Sequence, residues 1–276
     1  MENNGTEPSD HFTLITGSSL GIGRAFAFEC AKKGLNLFLI ALPGPELKNT
    51  AREINESYPV KIITFEIDLT SENAPREVYN FAVENNLNIN VLINNAGFGI
   101  NGLFEKSSLS LNYRMILLNN LAMIGIIHFF IPLLKKNKES HILNVSSMEA
   151  NLPLPYKSVY TGTKNFIYAY SLALYEELKP DNVKVSIVCP GPVVTNEEGL
   201  RRARAQGWKA KLMIKMPEEI ARITIPAMLK GKTIIIPGFL PWLLTKILNF
   251  IPELLKMRIL ERIFRVYKEI PTPIKD

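Results

Sequence analysis

The 276-residue sequence predicts an α/β fold: a single doubly wound parallel sheet of about seven strands with helices on both faces, followed by an amphipathic C-terminal helical extension. Three observations predict it. Short apolar runs alternate with stretches of helical period along most of the chain. The runs are continuously apolar, as strands buried on both faces require. No internal repeat or low-complexity linker divides the chain, so residues 11–238 read as one domain, 1–10 as a loose tail and 239–276 as the extension.

Residues 12–16 meet a glycine cluster and then a periodic stretch at 22–33, which reads as strand, turn and helix. Residues 35–41 are a second buried strand, and 46–57 a helix. A third strand at 60–66 precedes a helix at 72–84, and a fourth at 90–94 precedes the long helix near 109–136. Residues 141–146 make a fifth strand, 159–179 a helix and 183–188 a sixth strand. Pro217 is well placed to start a helix over 217–230, since its fixed φ suits the first turn, and 233–236 is the last strand.

With 47% hydrophobic and 21% charged residues, the chain is not mainly disordered. Its net charge of +6 is unevenly placed: residues 1–198 hold 16 basic and 20 acidic side chains, net −4, and 199–276 hold 16 and 6, net +10. Cys30 and Cys189 fit no disulfide framework, so a reduced, cytoplasmic setting is expected. The polar, acidic N-terminus lacks a signal-peptide pattern. Asn119, Asn120, Gly125, His128 and Pro132 interrupt the apolar runs, leaving none with the roughly 20 clean residues of a membrane span. His11, His128 and His141 are scattered, so no metal site is expected. Nor does any nucleic-acid-binding motif accompany the basic charge.

The chemistry lies at the strand ends. Gly17, Ser18, Ser19, Leu20, Gly21, Ile22, Gly23 and Arg24 join the first strand to the first helix, where glycines let the backbone approach a pyrophosphate and the helix N-terminus offers free N–H groups. The spacing is GxxxGxG rather than the commoner GxGxxG, and a simple turn would use the same glycines. Asp68-Leu69 follows the third strand and Asn94-Asn95-Ala96-Gly97 closes the fourth; a turn or helix cap would explain either. Tyr160 and Lys164 stand four apart, so a helix puts ammonium and phenol on one face. There the cation lowers the phenol pKa toward neutrality.

Taken together these motifs resemble the short-chain dehydrogenase/reductases, in order and spacing, from about Phe12 to Ile236. The resemblance implies a Rossmann-like fold and an NAD(P)-dependent oxidoreductase. Residues 16–23 look like the cofactor turn, 94–97 the Asn-Asn-Ala-Gly motif, and Tyr160 with Lys164 the Tyr-x-x-x-Lys pair. Ser147, thirteen residues before Tyr160, sits at the catalytic serine position. Pro190-Gly191, with Val193 and Thr195 beyond, resembles the segment that contacts the nicotinamide amide. Asn119 or its neighbour Asn120 is the tetrad asparagine; Asn119 lies thirteen before Pro132 and is preferred. The implied roles are hydrogen bonds from Ser147 and Tyr160 to a substrate carbonyl and proton donation by Tyr160. Lys164 would lower the phenol pKa and bind ribose, with a water at Asn119 relaying protons. The helices of Asn119 and Tyr160 form the family's usual dimer surface, so a homo-oligomer, dimer or tetramer, is expected.

At the position where an acid selects NAD and an arginine NADP, the chain has Ala41-Leu42-Pro43-Gly44. The missing acid favours NADP over NAD, and Arg24 either reaches the phosphates or is solvated. Residues 193–216 form the family's mobile lid over a hydrophobic carbonyl or alcohol substrate, and its cations suit an anionic handle such as coenzyme A. In the extension, apolar residues interleave with Lys246, Lys256, Arg258, Arg262 and Arg265. Residues 239–268 therefore lie on an anionic membrane, cover the cleft or make a subunit contact. The basic tail resembles the 3-oxoacyl and 17-beta-hydroxysteroid reductase branch, whose substrates are lipid-like. A cofactor-binding regulatory or membrane-associated protein with an idle site is the rival reading.

Overall fold

A computed structural model describes residues 10–193, 215–239, 243, 247 and 250–269. Seven parallel strands run in the order β3-β2-β1-β4-β5-β6-β7: β1 His11–Thr16, β2 Asn36–Ala41, β3 Ile62–Glu66, β4 Asn88–Asn94, β5 Ser140–Val145, β6 Val183–Val188 and β7 Ile234–Ile235. Alternation along each strand sorts its side chains into two cores. Leu14, Phe38, Ile40, Leu92 and Ile142 face one layer, and Ile15, Leu37, Leu39, Ile93 and Leu143 the other.

The first layer is closed by helices α3 (Ala74–Glu84), α5 (Ala122–Leu134) and α6 (Ser158–Leu178), which supply Val78, Phe130 and Leu174. The second is closed by α1 (Gly21–Lys32), α2 (Pro45–Ser57) and α7 (Pro217–Leu229), which supply Phe26, Ile54 and Ile225. Both faces are thus covered, as a parallel sheet requires. The chain leaves β1 toward β2 and β3, then crosses to β4, so the carboxyl ends of β1 and β4 flank the switch point where such sheets bind ligands.

One feature of the long helix departs from expectation. Helix α4 (Leu109–Ile116), a π turn (Leu117–Leu121) and α5 form one 26-residue helix whose most apolar 18-residue window has a mean hydropathy of 1.9, long and apolar enough by length and composition to cross a membrane. Asn119, Asn120 and Pro132 do not break it, because the π turn absorbs the asparagines and Pro132 lies in its last turn. The helix lies against β4 and α3 with Met123, Ile126, Ile127 and Phe130 buried in the core, while Leu109, Ile116 and Leu121 on its other side are exposed. Cys30 and Cys189 are buried free thiols.

Beyond the sheet, α8 (Glu253–Phe264) and a turn (Val266–Glu269) fold back onto the connection between β5 and α6, where Leu260 and Phe264 pack on Leu152 and Leu154. Residues 1–9, most of the expected lid including Thr195, and parts of 240–276 lie outside the described residues.

Candidate active site

The glycine turn is built for close approach. Gly17 holds φ +64, and a Cβ there would stand 2.9 Å from Ala96 Cα; a Cβ on Gly23 would meet the Gly17 carbonyl oxygen at 2.1 Å. Helix α1 starts at Gly21 after Leu20, with no side-chain cap and no acidic residue in its first turn. Its first N–H groups, those of Gly21, Ile22 and Gly23, therefore lack an intrahelical partner and suit an anion. Ser19 contributes its carbonyl to Thr50, 3.1 Å away, which ties the turn to α2. This cradle fits a dinucleotide pyrophosphate.

Several residues expected to touch a cofactor also hold the cradle and its surroundings in place. Asn95 donates to the carbonyls of Thr16 and Gly17 at 3.0 and 3.1 Å, while Thr16 Oγ1 accepts from the Asn95 and Ala96 amides at 3.0 Å each. Asp68 accepts from the Thr70 amide and hydroxyl at 2.9 and 2.8 Å and faces Arg114 at 3.9 Å, so it caps a local turn; Leu69 beside it is buried. Arg24 does not turn toward the phosphate cradle. Glu53 pairs with it and its guanidinium lies 4.5 Å from the Phe28 ring centre. Glu46, unnoticed in the sequence, folds back over Gly44, its Oε2 2.7 Å from where a Cβ would be.

Asn119 is buried in the π turn, where the extra residue per turn lets it and Asn120 both face inward. Asn119 accepts from the Phe98 amide and donates to Phe98 O and Thr163 Oγ1, each at 3.0 Å; Asn120 donates to Thr163 O at 2.9 Å. The geometry distinguishes them: Asn119 fixes the loop after β4, and Asn120 ties the helix to α6. Through these bonds the Asn119 side chain positions the loop after β4.

Tyr160 and Lys164 share one face of α6, as expected. Lys164 Nζ donates to Val145 O at 2.9 Å at the end of β5 and lies 5.9 Å from the Tyr160 ring centre. Ser147 follows β5, accepts from the Glu149 amide at 3.1 Å and hydrogen-bonds the Tyr160 hydroxyl. The Tyr160 ring lies against Gly99, where a Cβ would meet it at 2.6 Å. Pro190 O accepts from the Met148 amide at 2.9 Å, which ties the segment that leads to Gly191 and Val193 to the residue after Ser147; Val193 pairs with Lys215 in an isolated parallel bridge.

The electrostatics correct one expectation. Burial pushes the Tyr160 phenol up to about 12, with Glu149 adding to the rise and Lys157 and the Ser147 hydrogen bond opposing it. Lys164 does not draw the phenol toward neutrality: its own ammonium is lowered to about 8 by burial. Desolvation wins because Lys164 is buried, the Tyr160 phenol is largely enclosed, and no carboxylate among the described residues is hydrogen-bonded to Lys164. Spacing did not reveal Glu149, Lys157, Tyr156 or Tyr267, although Lys157 sits one turn before Tyr160 and Glu149 two residues after Ser147.

Residues 11–205 match the short chain dehydrogenase family. A very-long-chain 3-oxoacyl-CoA reductase of Laccaria bicolor is 31% identical over 198 residues, covering 70% of this chain and 58% of its own. The chain spans about three-fifths of the length of the curated relatives it matches. A short-chain dehydrogenase from Sphingobium yanoikuyae, solved in complex with NADPH, aligns with a TM-score of 0.74 at 26% identity, covering 88% of this chain and 97% of its own. A 7beta-hydroxysteroid dehydrogenase shares the fold at a TM-score of 0.81 and 22% identity, over 91% of this chain and 96% of its own. The uncapped glycine turn, the Ser147, Tyr160 and Lys164 constellation and the match over most of its length together make this chain a member of the short-chain dehydrogenase family of NAD(P)-dependent oxidoreductases.

Proposed function

We propose that this protein is an NAD(P)-dependent reductase, with NADP preferred, that converts a ketone on a hydrophobic, lipid-like substrate to a secondary alcohol. The 3-oxoacyl thioester for which its curated relatives are named is the first candidate. The observation that carries this reading is the Tyr160 phenol, bonded to Ser147 beside buried Lys164, at the edge of a switch-point crevice with an uncapped glycine turn.

The glycine turn with α1 would hold the pyrophosphate, Lys164 the nicotinamide ribose, and the segment from Pro190 to Val193 the nicotinamide end. When bound, the nicotinamide supplies the hydride for reduction. Ser147 and Tyr160 donate hydrogen bonds to the substrate oxygen, and these fixed donors stabilise the negative charge that grows there. Tyr160 then gives its phenolic proton to the alkoxide. Because burial raises the phenol pKa, Tyr160 stays protonated across the neutral range, which suits proton donation and hence reduction.

The missing acid at 41–44 supports NADP, and Glu46, folded over Gly44, is an opposing charge. The proposed setting is cytoplasmic, with peripheral contact to anionic lipid: the outward stripe of α8 carries exposed Leu254 and Leu255 with Arg258 and Arg262. The tail's inner face packs on the site instead, which supports a cleft-covering role for that face. Oxidation of NADPH and NADH with ketones and 3-oxoacyl thioesters of graded chain length tests the reading. Faster turnover with longer chains and with NADPH is expected; no oxidation with any carbonyl would overturn it.

A further inference from the structure

Lys157 closes the Tyr160 site from a side that the family motif does not describe. Its Nζ donates to both Glu149 carboxylate oxygens, at 2.9 and 3.0 Å, and stands 5.5 Å from the Tyr160 ring centre and 4.8 Å from that of Tyr267. The pair is largely removed from water, with 14% of the Lys157 side chain and 16% of that of Glu149 exposed. Burial opposes charge on Lys157, yet Glu149 and the neighbouring tyrosines hold its ammonium above its ordinary range. A buried ion pair is weak evidence of stabilisation, since desolvation offsets the attraction, so its location asks for another role.

The preceding residue is held as firmly. Tyr156 adopts φ +67, a left-handed conformation that is strained for a non-glycine residue and persists only where its surroundings hold it. Its carbonyl accepts from the Gly102 amide at 2.9 Å and its hydroxyl donates to Glu261 of α8 at 2.9 Å. The C-terminal segment therefore grips two consecutive residues, Tyr156 through Glu261 and Lys157 through Tyr267, immediately ahead of Tyr160.

We propose that Lys157 is a positioning residue for Tyr160, fixed by Glu149 and covered by Tyr267, so that the C-terminal helix completes the proton-donating site. This rests on the reading of Tyr160 as the proton donor. The groups facing Tyr160 are Lys164 on α6, Lys157 just ahead of it, Ser147 and Glu149 after β5, Gly99 after β4 and Tyr267 from the C-terminal turn. The Lys157 cation favours the phenolate and the Glu149 anion opposes it, so removing each charge moves Tyr160 in opposite directions. A purely structural role would move both one way, or neither.

The test uses the full chain labelled with 13Cζ-tyrosine, with Tyr160→Phe assigning the resonance. At a fixed alkaline pH, the ionised fraction of Tyr160 is expected to fall roughly tenfold in Lys157→Met and rise roughly tenfold in Glu149→Gln. Lys157→Arg keeps the wild-type value, which separates lost charge from lost folding. In a Tyr267→Leu background water reaches Lys157 and screens it, so the Lys157→Met shift shrinks. The alkaline limb of kcat/KM for carbonyl reduction moves up in Lys157→Met and down in Glu149→Gln. Shifts of the same sign, no shift, or a Lys157→Met shift indifferent to Tyr267 would overturn the proposal. If the wild type turns over no carbonyl, the resonance still reports on Lys157, so failure of the reductase reading is distinguishable.

Discussion

Tyr160 must lose its proton easily to a developing alkoxide, yet remain protonated until the alkoxide forms. Burial secures the second requirement by raising the phenol to about 12. A group that must be protonated loses function as pH climbs through its pKa, so reduction should hold through neutrality and decline only at alkaline pH. A pH profile of kcat/KM for reduction checks this, and an acid-side pattern that rises toward pH 9 would contradict it. Asn119 offers a stability prediction. Asn119→Ala leaves the Phe98 amide and carbonyl and the Thr163 hydroxyl short of a partner, and should cost about 1–3 kcal/mol in urea unfolding. The motif residues were legible because their spacing is local. Lys157 and Glu149 were not, because a lysine and a glutamate near a helix start are ordinary in sequence and gain meaning only when their carboxylate and ammonium meet at 2.9 Å.

At the scale of elements, every strand and every main helix of the sheet domain was legible from apolar runs and helical period, with ends displaced by a residue or two where caps decide. The π turn was not, because no residue type marks the extra backbone residue that turns Asn119 and Asn120 inward together. Asn119 and Pro132 lie inside one continuous helix, as the reading of 109–136 expects, since a helix packed on a sheet tolerates polar residues that find partners there. The loop after β4 matters through its glycine. Gly99→Ala would drive a methyl into the Tyr160 ring, and should lower kcat by about tenfold or more with NADPH affinity retained, measured by steady-state kinetics and nucleotide fluorescence. Equal losses in binding and turnover would place the effect elsewhere.

For the whole molecule, the charge asymmetry now divides within the extension. Lys256 is buried and paired with Glu253, Leu260 and Phe264 pack on the domain, and Arg258 and Arg262 remain on the outward side with Leu254 and Leu255. Whether the tail folds over the site could not be inferred from its sequence, because an amphipathic helix reads alike against lipid and protein. Co-sedimentation with anionic vesicles should weaken severalfold on Arg258→Glu with Arg262→Glu, at unchanged turnover of a short soluble ketone. Equal partitioning would remove the lipid contact from the account. In the proposed reaction Ser147, Tyr160 and Lys164 direct hydride delivery to a carbonyl. Its most direct measurement is mass spectrometry of the alcohol formed from a long-chain 3-oxoacyl thioester with NADPH deuterated at the transferable position. The account predicts one deuterium per product with the wild type and a loss of at least about 100-fold in rate with Tyr160→Phe; unlabelled product, or normal turnover by Tyr160→Phe, would contradict it.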